Sequence, residues 1–335
     1  MVHQFSLSEQ MMPDPSNISS EVTGFGSSDP LAALPWTTRA AASIIFKIQN
    51  SACHADVTIN RRLLKLLDLK APPTPNPVDG ISSSDFTVNT NRNLWFRAFS
   101  PTSSGPLPVI IYLHGGGFST MSAASWPYDT FCRRLIGEVP ALIVIASVEY
   151  RHLWEHRFPC QYDDGFDALR SIAENSATVL SRNADVSRCF LARDSAGGNL
   201  AHHVAVRAAQ SRIEQVKIRG LIPIQPFFGG QSGQSEIRNE NAPILNVSQM
   251  DWLWWAFLPE GADRDHAAAN VSGPSAVDTS VLAELPATIV FAGGIDPLRD
   301  WLVKYYEWLK RSGKEAELVR YPDMVHGFYA FPELP

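Results

Sequence analysis

Four short stretches hold the residue types that acyl-transfer chemistry requires. HGGG at 114–117 is a histidine followed by three glycines, DSAGG at 194–198 holds Ser195, GGID at 293–296 ends on Asp296, and DMVHG at 323–327 holds His326. A serine hydroxyl is too weakly acidic to attack an ester unaided, and imidazole is the base whose pKa suits that task near neutrality. In this reading His326 takes the Ser195 proton and returns it to the leaving alcohol. Asp296 fixes the imidazole tautomer and stabilises the imidazolium. The tetrahedral intermediate needs N–H donors already aimed at its oxyanion, each worth ~2.7–4 kcal/mol. Gly115, Gly116, Gly117 and Ala196, the residue after the serine, supply the candidate backbone donors. Glycine suits such a loop because a backbone without side chains can approach the substrate oxygen closely. Phe118, Asp194 and Trp254 are the candidate substrate contacts. No metal-ligand or cofactor motif is visible, and the chemistry needs neither.

These stretches form one site only if the fold brings them to one edge. Each follows a run that reads as a strand: LPVIIYL before the glycines, RCFLAR before Ser195, PATIVFAGG before Asp296 and AELVRYP before His326. Alternation at 81–88, LWFRAF (94–99), ALIVIASVEY (141–150) and VKIRGLIPIQP (216–226) add further strands. Helical patterns lie between them in YDTFCRRLIGEV, YDDGFDALRSIAEN, GGNLAHHVAVRAAQ and WLVKYYEWLKRSG. Continuous apolar strands alternating with helices predict a mostly parallel, doubly wound α/β sheet covered on both faces. Ligands of such sheets sit beyond the carboxyl ends of the strands, where all four stretches fall. The chain order Ser…Asp…His is the one α/β-hydrolases use.

Around this core, residues 1–34 read as a mobile Ser/Pro/Gly/Asn-rich tail, and 35–75 as N-terminal helices ending in a proline-rich connector. The core spans 76–335, with a Trp-dense insertion around 231–280 expected to wall or lid the pocket through Trp252, Trp254 and Trp255. His202 and His203 fall inside a helix and read as structural. A net charge of −6 provides no field that would draw nucleic acid or anionic lipid. No apolar run approaches the ~18 residues of a membrane span. The N-terminus lacks the basic start and apolar stretch of a secretory signal. The four scattered cysteines, Cys53, Cys132, Cys160 and Cys189, suit a reducing compartment. The expectation is a cytoplasmic enzyme acting on a small-molecule ester, with oligomeric state undetermined by the sequence.

Longer stretches carry a family likeness: HGGGF (114–118), EYR…EHRFP…YDDG (149–165), DSAGGNLAHHVAVRA (194–208), IQPFFGG (224–230), AFLPEGADRDH (256–266), GGIDPLRDW (293–301) and YPDMVHGFYAFPE (321–333). On these the chain resembles plant carboxylesterases of the hormone-sensitive-lipase-like group of α/β-hydrolases, from about Pro35 onward. The resemblance implies an α/β-hydrolase fold with a helical cap, nucleophile Ser195, acid Asp296, base His326, and oxyanion donors among Gly115, Gly116, Gly117 and Ala196. It implies hydrolysis of small to medium carboxylic esters through an acyl-enzyme. The same family includes dehydratases and cyclases of specialised metabolism, and the gibberellin receptor, which lacks the triad histidine.

Two departures stand out. Relatives read G-D-S-A-G around the serine, whereas this chain reads Arg193-Asp194-Ser195-Ala196-Gly197. Relatives read R-L-A-P-E-H where this chain has Arg151-His152-Leu153-Trp154-Glu155-His156. Small residues are favoured two before the serine, so Arg193 is expected either to thread its stem to solvent or to force the turn open; in an active esterase it is accommodated, paired with an acid such as Glu149 or Asp163. If it strains the turn, a non-hydrolytic enzyme or a receptor-like pseudo-enzyme becomes the alternative.

Overall fold

The computed structural model describes residues 35–52, 60–64, 68–139, 142–153, 155–211, 213, 215–231, 233–331 and 334. The expected tail at 1–34, and Cys53, lie outside the described residues. Eight strands form one sheet: β1 (Ile81–Asn89), β2 (Leu94–Pro101), β3 (Leu107–Leu113), β4 (Val144–Glu149), β5 (Ala184–Asp194), β6 (Ile218–Ile224), β7 (Ala287–Ile295) and β8 (Ala316–Val325). Their order is β1-β2-β4-β3-β5-β6-β7-β8. β1 and β2 pair antiparallel, as do β2 and β4, and every later pairing is parallel.

Burial follows from composition. VIIYL of β3 is buried residue after residue, as a central strand with both faces covered requires, whereas β1 at the edge alternates. One apolar cluster joins β3, β4 and β5 to α4 (Cys160–Val179), α5 (Ser195–Ser211) and α8 (Arg299–Arg311). A smaller one joins Phe99, Ile110, Tyr112, Ile145 and Ala192 to Tyr128, Cys132 and Ile136 of α3 (Trp126–Glu138). α8 buries Trp301, Leu302, Tyr305 and Leu309, a helical stripe on an otherwise charged segment. α3 begins at Trp126, two residues earlier than the sequence pattern, because Pro127 suits a first helical turn.

Four further helices stand outside this sandwich. α1 (Trp36–Ala52) and α2 (Arg61–Leu64) precede the sheet, and α6 (Gln234–Arg238) and α7 (Val247–Phe257) lie between β6 and β7. Asn246 caps α7: its side chain accepts from the Gln249 N–H, and the Gln249 side chain accepts from the Asn246 N–H. Among the described residues no helix is long and apolar enough to cross a membrane.

Candidate active site

β5 runs directly into α5 at Ser195, which has φ +49°, the left-handed region that a non-glycine residue occupies at a cost of about 1–3 kcal/mol. The turn is held by the Phe227 N–H, which donates to the Ser195 carbonyl at 2.8 Å. Beyond the serine only small residues fit. A Cβ on Gly197 would run into the backbone carbonyls of Leu113 and His114, and one on Gly198 would come 2.8 Å from Pro226. The sharp turn lifts the hydroxyl above the sheet edge.

There Ser195 Oγ lies 2.9 Å from His326 Nε2, and His326 Nδ1 lies 2.9 Å from Asp296 Oδ2. An ionised carboxylate only accepts, so Nδ1 carries the proton and Nε2 presents its lone pair to the serine. Asp296 is fully buried yet well supplied with donors. The Leu298 N–H reaches its Oδ1 at 2.9 Å, and Gln225 Nε2 reaches Oδ2 at 2.8 Å. Gln225 also donates to the Val325 carbonyl and accepts from the Gly327 N–H at 2.7 Å, so one amide ties the acid to the histidine loop. This residue was not singled out from the sequence. Its signal was a lone amide closing the apolar strand β6 at the same edge as the other groups.

The glycine loop divides in two. Gly116 (φ +96°) and Gly117 (φ +61°) adopt conformations that favour glycine, and their N–H groups meet no acceptor among the described residues. Gly115 differs from the expectation: its N–H already donates to Tyr128 Oη at 2.9 Å. A Cβ there would run into the Asp194 carboxylate and Tyr128, so close packing explains this glycine, and its N–H is not available to an oxyanion. Ala196, in the first turn of α5, has an N–H without an intrahelical acceptor.

A cavity of about 590 Å³ opens over Ser195 and His326. Ile45 of α1, Leu64 of α2, and Leu245, Trp252 and Leu253 from the insertion line it with Met121. The candidate substrate contacts are placed differently from expectation. Phe118 is fully buried and stacked on Phe257 at 4.0 Å, and Trp254 is fully buried and stacked on Phe227 at 4.4 Å; neither lines the cavity. Trp255 is exposed. The helical period of α7 turns 252 and 253 to the cavity and carries 254 into the core. Asp194 borders the cavity, but Tyr112 and Tyr128 donate to its two oxygens at 3.1 and 3.0 Å, which leaves little of it for a ligand.

Arg193 neither reaches solvent nor finds an acid. It is fully buried, and none of its three guanidinium nitrogens has a hydrogen-bond partner. Its charge sits 4.2 Å from the centre of the Tyr112 ring, a cation–π contact. Glu149 instead accepts from the Ala123 N–H, and Asp163 pairs with Arg207. Burial pulls the Arg193 pKa down to about 10. Behind the glycine loop, His114, Glu149 and His152 form the one group among the described residues able to hold a metal ion. His202 is buried against the Tyr305 hydroxyl at 3.0 Å, and His203, half-buried, stacks on Tyr162.

The described geometry agrees with the relationships of the chain. A family model described as "alpha/beta hydrolase fold" matches residues 110–330. Gibberellin receptor GID1C of Arabidopsis thaliana is 40% identical over 293 residues, 83% of each chain. Carboxylesterase 20 of the same plant is 34% identical over 291 residues, covering 83% of this chain and 88% of that one. The esterase of Pyrobaculum calidifontis superposes with a TM-score of 0.65 at 25% identity, over 91% of this chain and 87% of its own. The chain belongs to the alpha/beta hydrolase fold family.

Proposed function

We propose that this protein is a carboxylesterase that cleaves small to medium carboxylic esters through an acyl-enzyme on Ser195. The observation that carries the reading is the unbroken relay of 2.9 Å contacts from Ser195 Oγ through His326 to Asp296, at the floor of an apolar cavity. As Oγ attacks the ester carbonyl carbon, His326 Nε2 takes its proton, and the imidazolium that forms is stabilised by Asp296. The carbonyl oxygen becomes an oxyanion facing the N–H groups of Gly116, Gly117 and Ala196. Collapse breaks the C–O bond, with the leaving alcohol taking the proton from His326. Water then repeats the sequence on the acyl-enzyme and releases the acid. The Trp252 and Leu253 wall favours apolar acyl or alcohol groups over charged ones.

Identity to gibberellin receptors favours a second reading, a ligand-binding protein that uses the same cavity without turnover. The histidine is what separates them, since His326 stands within hydrogen-bond distance of the serine. A panel of p-nitrophenyl esters from acetate to octanoate, run on wild type and Ser195→Ala, decides between the two. Turnover with the shorter acyl chains, abolished in the variant together with fluorophosphonate labelling, supports the esterase. An unlabelled wild-type serine supports the binding protein.

A further inference from the structure

Behind the glycine loop, and outside the lining of the ester cavity, three potential ligands converge from two segments. His114 is fully buried, and its Nδ1–H donates to the Gly115 carbonyl at 2.9 Å. That bond fixes the tautomer, so Nε2 presents a lone pair, and Nε2 is buried without a partner. Across from it, at 3.8 Å, lies Glu149 Oε2. Two acceptors therefore face each other at a distance too long for a direct hydrogen bond. His152 completes the group: the Met121 carbonyl polarises its ring, and its Nε2 is likewise buried and unpartnered.

We propose that His114 Nε2, His152 Nε2 and the Glu149 carboxylate form a divalent-cation site matched to Zn²⁺. Two imidazoles and one carboxylate with room for a fourth ligand are a donor set that zinc favours. Ligands held at ~2.0–2.1 Å in a tetrahedron stand about 3.3 Å apart. One ligand atom from each of the three residues lies within 4.8 Å of the other two, so a shift of less than about 1 Å at each end closes the set. Backbone carbonyls beside both rings do what outer-shell groups do at metal-binding histidines, orienting the ring and raising its basicity. The Ala123 N–H anchors Glu149 at 2.8 Å, and Tyr150 stacks on His114 at 4.3 Å while donating to its carbonyl at 2.7 Å. An ion here would brace the residue from which the oxyanion loop departs. Sequence spacing shows no sign of the site, because 114 and 149 come from the ends of neighbouring strands.

The test is a ZnCl₂ titration of the full-length, chelator-stripped protein in competition with a chromophoric chelator. One equivalent should bind with a Kd of about 1 μM or tighter, and Glu149→Gln and His152→Gln should each weaken it at least tenfold. Co²⁺ bound to the wild type should give the visible spectrum of a four- or five-coordinate N/O site without a thiolate charge-transfer band. That second measurement needs no variant to fold. A Kd above about 100 μM, binding indifferent to both substitutions, or a thiolate band would overturn the proposal; the first means that water bridges the gap, the others that ions bind elsewhere.

Discussion

The two sides of the nucleophile turn are built on opposite rules. In front, the side chains form a closed chain of contacts: Ser195 meets His326, His326 meets Asp296, and Asp296 is shared by Gln225 and the Leu298 N–H. Behind, His114 Nε2, His152 Nε2 and all three guanidinium nitrogens of Arg193 are buried without partners. Under the proposed function the front moves one proton with little rearrangement, which is what preorganised catalysis needs. The rear carries unmet polar demand, which for Arg193 the face of the Tyr112 ring partly answers. The lesson is that an odd residue beside Ser195 need not disturb the geometry of its contacts, provided its side chain is accommodated on the far side.

The largest expected effect breaks the front. Ser195→Ala should lower kcat on a p-nitrophenyl ester by about 10⁴–10⁶-fold while the thermal midpoint stays within a few degrees. If the loss is small, the relay is not the machinery.

Acid acts on the imidazoles whose charging burial opposes. Burial holds His114, His202 and His203 below the ordinary histidine pKa, His202 at about 3. Below about pH 6.5 the unfolded chain takes up protons that the folded one refuses, so their stability contribution is complete above that pH and is lost progressively as pH falls from there toward the folded-state pKa. His202 alone then loses about 1 kcal/mol between pH 6.5 and 5.5, and His114 and His203 act in the same direction. Glu149, whose carboxyl burial pushes up, offsets part of this by favouring the fold on the acid side. Urea midpoints at the two pH values measure the net, and a flat response would contradict the assignment of neutral buried imidazoles.

A smaller effect tests how far the front depends on its outermost link. Gln225→Leu keeps most of the volume but removes one donor from Asp296 and the acceptor of the Gly327 N–H. A drop in kcat of about 10–100-fold with little change in KM is expected, the size of an ångström-scale misplacement. An unchanged kcat would show that the Leu298 N–H and His326 position the acid without it.

The smallest effect concerns Arg193. Lowering its pKa from 12.5 to about 10 corresponds to about 3 kcal/mol of desolvation cost, present at every pH below 10 and relieved only as pH rises toward 12.5. The cation–π contact with Tyr112 returns up to about 2 kcal/mol. Arg193→Met keeps the stem and drops the charge, so its midpoint should rise by about 1–2 °C with kcat within about threefold of wild type. A large fall in kcat would make the arginine part of the front after all.

Much of this was legible in the sequence. Continuous apolar runs mark strands buried on both faces, and the side-chain period of each element depends only on local backbone geometry. Chain order and strand ends were enough to bring Ser195, Asp296 and His326 to one edge. What a residue does once there depended on neighbours far along the chain. Gly115 spends its N–H on Tyr128, Phe118 and Trp254 turn into the core, Trp252 turns to the cavity, and Gln225 reaches Asp296 across 71 positions of sequence. The composition of the loop likewise left Arg193 with solvent or an acid, and packing supplied a tyrosine ring instead. The sequence by itself determined which elements form and which reactive groups stand at their ends, because hydrophobic periodicity and turn chemistry are local. Only the tertiary structure decided which N–H is free, which aromatic lines the cavity and where the buried charge rests, because those depend on packing between distant segments.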